Sequence, residues 1–385
     1  MSERLRVLVV PKWYPWPDQP VLGSFCREHA RALATRHDVV VLPSLAMRRP
    51  GFARYSLEDS VEDGLRTMRV RYRRPLLRPA AMGFQLDGML AALRRLRREG
   101  WVPDVVHAHV YQAGLPALAL GRRAGAPVVV TEHYTGFQRG LVTGYERWIA
   151  RAAFGGADLV APVSEDLAGH LCAIAPKARM RVLPNVVDTD VFHPPGEPRA
   201  AGSPPRLLTV GSLADKKGQR YLIEALARLD GERTATLDIV GGGPLRGELE
   251  ALAAQLGLAE RVRLRGELPK EEVARLMRES DVFALPSIHE TFGCVLIESM
   301  ASGLPVVATP VGGVPEVVGD GRAVLVPPHD PDALAAAISQ TLASTSGERR
   351  AELAAQTAER YGYRAVADAW SDVYAELLAK PRARR

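Results

Sequence analysis

Residues 281–316 read DVFALPSIHETFGCVLIESMASGLPVVATPVGGVPE. The apolar run Val282–Leu285 is short and continuous, as expected of a strand buried on both faces. A loop carrying Glu290 follows. A helix is then expected from near Phe292 to Ser302, stopped by Gly303-Leu304-Pro305. A second apolar strand, Val306–Ala308, comes next, so the stretch is a strand–helix–strand unit of a parallel sheet. The first helical turn presents the backbone N–H groups of about Phe292 to Val295 at the strand's carboxyl end, and Gly293 lets a ligand approach them closely. Such a place suits a phosphate or a cluster of hydroxyls. Glu290 lies just ahead of this turn and Glu298 about one and a half turns into the helix, so two carboxylates can flank one ligand at different depths. An acid near a helix N-terminus is ordinary for Glu290. Glu298 sits among Val295, Leu296, Ile297 and Met300, where a half-buried carboxylate needs a partner.

The same alternation extends in both directions. Further strands are expected at Leu207–Val210, Thr236–Val240, Arg261–Leu264 and Val324–Val326, with helices such as Gln219–Ala227, Leu245–Leu256 and Lys270–Glu279 between them. Ahead of this block, residues 193–206, HPPGEPRAAGSPPR, hold five prolines and two glycines without apolar period and read as a linker. Before the linker the pattern starts afresh. Strands are expected at Arg6–Val10, Asp38–Leu42, Arg66–Arg71, Val105–His107, Val128–Thr131, Leu159–Pro162 and Arg179–Leu183, and helices at Phe25–Thr35, Leu90–Arg98 and Gly114–Arg123. The chain closes on a helical stretch, Tyr363–Leu378, with Trp370 and Tyr374 on roughly one face. Two consecutive doubly wound α/β domains follow. In such sheets ligands bind beyond the carboxyl ends of the strands, here in a cleft between the domains.

Length and composition agree. The 385 residues favour two or three domains. With 47% apolar and 24% charged residues, global disorder is excluded. No apolar run reaches the ~18 residues of a membrane span, and MSERLRVLVVPKWYP is interrupted too early for a signal peptide, so a cytoplasmic location is expected. Cys26, Cys172 and Cys294 are widely separated, with no Cys/His metal spacing, and a reducing compartment fits. Residues 1–200 carry 28 Lys and Arg against 19 Asp and Glu, whereas residues 201–385 carry 22 against 25. A basic first half and a mildly acidic second half suggest different ligands for the two domains.

Glu290-x7-Glu298, set in Pro286-Ser287-x-x-Glu290-x-Phe292-Gly293, resembles the signature of the retaining glycosyltransferases of family 4, which have the two-domain GT-B fold. Supporting stretches follow in that family's order. Val210-Gly211-Ser212-Leu213 with Lys217-Gly218, Gly241-Gly242-Gly243-Pro244-Leu245, Gly266-Glu267-Leu268-Pro269, Ala301–Val307 and Gly312–Glu316 all resemble its loops, as does Pro184–Asp188, with Val186 where glycine is usual. The resemblance covers residues 206–330 closely and the first half more thinly. It implies an acceptor-side domain over 1–195 joined by a helix returning at about 363–385, a linker at 196–205, and a donor domain over 206–362. It further implies that Glu298 accepts the ribose hydroxyls and that Lys217 meets the diphosphate, with Gly211, Ser212, Gly243, Leu268, Cys294 and Val295 lining the nucleotide. Glu290, Thr291, Phe292 and Gly293 would hold the donor sugar. In the first domain the loop Gly23-Ser24-Phe25 would approach the phosphate and acceptor, and His133 the transferred sugar. The family's usual phosphate-binding arginine is replaced by Ser212; Lys216, Arg220 or a first-domain arginine is the candidate to compensate.

The implied reaction moves a hexose-type sugar from a nucleoside-diphosphate sugar, UDP-sugars included, to a glycan, glycolipid or small molecule, as in polysaccharide biosynthesis, without cofactor or metal. Catalytic weight would fall on Glu290, His133 and Lys217. Other readings are weaker. A dinucleotide oxidoreductase wants G-x-G-x-x-G, and Gly241–Arg246 lacks the third glycine. No G-K-[ST] marks a P-loop. Asp188-x-Asp190 lies at the interdomain exit, and His107-x-His109 has no further ligand in sequence. The arginine clusters at 71–74 and 94–98 and the tail 380–385 come with no nucleic-acid-binding module and fit better a membrane surface or lipid-linked acceptor. A sugar-nucleotide epimerase of the same fold is the alternative that product analysis would separate. The base, the sugar and the acceptor stay open at this level.

Overall fold

The computed structural model describes residues 4–48, 51, 53–74, 78–196, 204–229, 235–319, 321–344 and 346–379. The chain divides into two compact units, Met1–Asn185 with Tyr363–Arg385, and Val186–Gly362. The division falls at Asn185–Val186 rather than in the proline-rich stretch, whose residues 197–203 lie outside the described set, as does the basic tail 380–385. Its cause is local: Val187 N–H bonds the Tyr361 carbonyl, Lys270 pairs with Asp188, and Arg278 reaches the Val191 carbonyl. Those bonds tie 187–191 to the second unit.

In the first unit the strands are β1 (Arg6–Pro11), β2 (Asp38–Val41), β3 (Ser44–Met47), β4 (Tyr55–Glu62), β5 (Leu65–Arg73), β6 (Val105–His109), β7 (Val128–Glu132) and β8 (Leu159–Pro162). They pair in the order β3-β5-β2-β1-β6-β7-β8. All pairings are parallel except that β4 runs antiparallel on β5. Val7 to Val10 of β1 are wholly buried, as an apolar run between two helical layers must be. The helices are α1 (Ser24–Ala34), α2 (Arg78–Arg98), α3 (Tyr111–Ala124), α4 (Gly144–Gly156) and α5 (Glu165–Cys172). Arg179–Leu183, expected as a strand, is reduced to a bridge at Met180 with backbone bonds to Val160.

The second unit is a sheet of six parallel strands, β9 (Arg206–Val210), β10 (Thr236–Val240), β11 (Val262–Gly266), β12 (Val282–Leu285), β13 (Val306–Ala308) and β14 (Ala323–Leu325), in the order β11-β10-β9-β12-β13-β14. Helices α6 (Gln219–Arg228), α7 (Arg246–Gln255), α8 (Lys270–Glu279), α9 (Cys294–Ala301), α10 (Val314–Val318), α11 (Pro331–Ser344) and α12 (Gly347–Tyr361) cover it. Leu207, Leu237, Ile239, Val282 and Val307 form its core with Leu222, Ile223, Leu226 and Ile338 from the helices.

The last helix, α13 (Tyr363–Ala379), belongs to the first unit. Its Trp370 and Tyr374 are fully buried; the Tyr374 hydroxyl lies 2.7 Å from His107 Nδ1, and the Trp370 ring is tilted on the same imidazole. Arg36–Asp368 and Tyr363–Glu28 fasten it to α1 and its following turn.

In each sheet the order reverses beside the first strand, between β1 and β6 and between β9 and β12. Loops that leave the carboxyl ends on the two sides of such a reversal diverge and open a crevice. The candidate residues lie on loops at the carboxyl ends of the strands or, for Cys294, Val295 and Glu298, in the helix α9 that follows one, and for Ser24 at the start of α1.

Candidate functional site

The loops after β9, β10 and β11 are joined backbone to backbone. Gly241 N–H bonds the Gly266 carbonyl, Gly211 N–H the Val240 carbonyl and Leu213 N–H the Gly242 carbonyl. A Cβ at Gly241 would lie 2.0 Å from the Gly211 oxygen, and one at Gly243 2.4 Å from the Leu213 oxygen, so both positions demand glycine. Ser212 is exposed, with its carbonyl bound by the Gln219 amide, and Leu268 is half-buried on the third loop.

The loop after β9 is also latched to the loop after β12. Ile288 and His289 N–H groups both point to the Lys216 carbonyl, and Gly218, at φ +63°, abuts the Pro286 carbonyl. The latch carries the Lys217 stem across Gly211 and places Nζ 2.5 Å from Glu290 Oε2. This ion pair is largely buried, and Ser287 Oγ reaches the same carboxylate oxygen. Arg220, a candidate to replace the missing arginine, pairs with Glu224 and lies over Tyr221.

Helix α9 begins at Cys294, two residues later than expected near Phe292, because Gly293 takes a left-handed φ of 79° as its cap. The leading amides are therefore those of Cys294 and Val295, while Leu296 N–H already bonds the Gly293 carbonyl. The Phe292 ring is buried edge-on against Tyr361, which leaves its backbone as the part that can meet a ligand; Thr291 is buried beside it. Burial pushes the Cys294 thiol strongly up, helped by the negative charges of Glu298 and Glu290. The thiol is thereby held in its protonated form. Glu298 is half-buried.

In the first unit Gly23 caps α1 at φ 71°, pressed so closely on Trp13 and Tyr14 of the loop after β1 that a Cβ would overlap the Trp13 carbonyl. The turn Gly23–Ser24 delivers Phe25 against His133, with ring centroids 4.6 Å apart. His133 follows β7, and its Nε2 meets His109 Nδ1 at 3.0 Å. His109 is completely buried. Together His107, His109 and His133 make a stack, with His29 of α1 edge-on to the last two and bonded to Asn185. Burial holds His29 down to about 4 and the other three well below the ordinary value, so all four imidazoles are neutral at pH 7.

The fastening of this corner was not foreseen. Buried Glu132 accepts the N–H groups of Tyr111, His133 and Tyr134, serving at once as cap for α3 and clamp for the His133 loop. Burial raises it to about 7 against the pull of those donors. The residue before α3, Val110, holds φ 71°, a strained state for a β-branched side chain. Position alone, immediately after a β-branched strand, was the available signal for Glu132.

Residues 22–191 match the family described as Glycosyltransferase Family 4, and residues 195–360 match Glycosyl transferases group 1. The D-inositol 3-phosphate glycosyltransferase of Xylanimonas cellulosilytica is 34% identical over 75% of this chain and 75% of its own length. The glycogen synthase of Mycobacterium tuberculosis is 31% identical over 98% of this chain and 95% of its own. The chain belongs to glycosyltransferase family 4. Solved structures agree on the fold of this glycosyltransferase. Sucrose-phosphate synthase from Thermosynechococcus elongatus superposes with a TM-score of 0.73 at 23% identity, over 98% of this chain and all of the other. HepE from Anabaena, in complex with UDP and glucose, gives 0.74 at 18% over 97% and 100%. The glycosyltransferase therefore has the GT-B fold. No helix among its described residues is long and apolar enough to cross a membrane.

Proposed function

We propose that this glycosyltransferase moves a hexose-type sugar from a nucleoside-diphosphate donor to a hydroxyl of a glycan, glycolipid or small molecule, with retention and without a metal ion. The observation that carries the reading is the buried Lys217–Glu290 pair beside the first turn of α9, at the strand-order reversal of the second sheet. A diphosphate there meets an ammonium and helix amides together. When the anomeric C–O bond breaks, negative charge grows on the leaving phosphate, and donors fixed beforehand stabilise it. Glu298 offers two acceptor oxygens to the ribose hydroxyls. Glu290 holds sugar hydroxyls and opposes the positive charge that develops on the sugar ring; it is not assigned as a nucleophile. The acceptor proton passes to the departing phosphate on the same face. Gly23, Ser24 and His133 are assigned to the acceptor and transferred sugar.

UDP is the first candidate for the nucleotide, because HepE has been seen with UDP and glucose. Thermal shifts with UDP, GDP, ADP, dTDP and NAD+, each with and without EDTA, test the proposal. A ligand at 100 times its Kd adds about 2.7 kcal/mol. One nucleoside diphosphate is expected to shift the melting temperature equally in both conditions. A shift with NAD+ alone, or one abolished by EDTA and restored by Mn2+, would refute it.

Peripheral contact with anionic lipid belongs to the same proposal. On α4 and its approach, Leu141, Tyr145 and Trp148 are exposed, the two rings stacked, among exposed Arg139, Arg147 and Arg151. Aromatic and cationic side chains combined in this way favour a headgroup layer. Binding to phosphatidylserine vesicles is expected to weaken with salt and in Trp148→Ala; binding indifferent to both would oppose it.

A further inference from the structure

The buried imidazoles of the first unit share their pocket with a thiol. Cys26 and His29 stand three residues apart on α1, hence on one face, and both are buried. His109 ends β6, and His133 directly follows the adjacent parallel strand β7. Donor atoms of Cys26, His109 and His133 all lie within 4.8 Å of one another. The His29 ring stands edge-on at 5.2 Å from His109 and 5.6 Å from His133.

Proton positions favour ligation. Asn185 Oδ1 accepts from His29 Nε2, which leaves the lone pair on His29 Nδ1. An imidazole whose second nitrogen is held by a carbonyl is the usual arrangement of a metal ligand. Neither His29 Nδ1 nor His109 Nε2 has a hydrogen-bond partner among the described residues. Leaving such an atom buried without a partner is unfavourable. Coordination would offset that cost. The nearby carboxylate of Glu132 is taken up by three backbone amides, so the donors are sulfur and nitrogen.

We propose that Cys26, His109 and His133 form a site for one thiophilic divalent cation of the Zn2+ class, with His29, which stands outside that 4.8 Å group, turning in as fourth donor. Thiolate and imidazole select such ions over Mg2+ or Ca2+. On binding, the Cys26 S–H bond breaks, an S–metal bond forms, and the proton leaves to solvent; the His109 Nδ1–His133 Nε2 hydrogen bond is given up, because two ligating neutral imidazoles cannot keep it. The cation is not part of the transfer chemistry. It takes His133 out of reach of the sugar, so the loaded enzyme is inhibited; this consequence, unlike the site itself, rests on the sugar-contact role assigned above.

The test uses the full chain, stripped with EDTA and dialysed, then titrated with Co2+ and separately with Zn2+. One equivalent is expected to bind. Co2+ should produce thiolate charge-transfer absorption that Zn2+ displaces, that Cys26→Ser loses and that Cys172→Ser keeps. Cadmium NMR of the native protein, which needs no variant to fold, should give one resonance typical of one sulfur and three nitrogens. Absence of stoichiometric binding by the native protein, or a spectrum unchanged in Cys26→Ser, overturns the site. Transfer by the stripped enzyme reads the transferase assignment separately, and Zn2+ should abolish that transfer at one equivalent.

Discussion

Glu290→Gln is expected to lower sugar transfer by about 10²–10³-fold, the usual cost of removing one preorganised electrostatic contact at a reacting centre, while UDP still binds. The ion pair sharpens this expectation. Lys217 spends its charge on Glu290 in the unliganded protein, so neutralising the carboxylate frees the ammonium for the diphosphate, and UDP affinity should hold or rise. Glu298→Gln is expected to act oppositely. It replaces a charged acceptor by a neutral one whose amide end repels a hydroxyl proton, worth about 1.5–3 kcal/mol and therefore roughly a 10- to 150-fold weaker UDP complex. Calorimetric titration of both variants with UDP, beside initial transfer rates, separates the two. Equal losses of nucleotide affinity would sink the division of labour.

The second large effect concerns α13. Trp370→Ala should cost about 3–5 kcal/mol, because a fully buried indole leaves a cavity that the helix and sheet cannot close. Tyr374→Phe should cost about 1–3 kcal/mol by stranding His107 Nδ1 in the interior. Urea unfolding followed by tryptophan fluorescence checks both. A Trp370→Ala protein within about 1 kcal/mol of the native one would show that α13 merely lies on the first unit.

The legible parts of the fold were those whose neighbours in space are also neighbours in sequence. Val7–Val10 and Val282–Leu285 are buried on both faces by the helices of their own βα units, so unbroken apolar runs announced them. Strands β3 and β4 escaped notice because Ser44–Met47 and Tyr55–Glu62 are largely only half-buried, β3 being just four residues long and β4 mixing polar with apolar residues like a loop. Arg179–Leu183 looked like a strand since it does bond Val160 and Pro162, but without a ladder. In the candidate site, Glu290, Glu298 and Lys217 were recognisable by spacing. Their mutual geometry was not, because the latch between Lys216 and the loop at 286–289 is made of backbone atoms that every residue possesses. The Cys26 cluster had no sequence signal either. Its donors come from one helix and two strands, and spacing rules describe ligands presented by a single short segment.

The placement of α13 also sets a timetable. His107 and its hydroxyl partner Tyr374 are separated by 267 residues. At a ribosomal pace of roughly 5–20 residues per second, tens of seconds pass before the second of them is even made. Through that interval the second unit can finish, whereas the first unit waits with the surface that Trp370 will cover still wet. A nascent chain of this enzyme should therefore mature from the middle outward, and a holdase would find its client site on the half that was synthesised first.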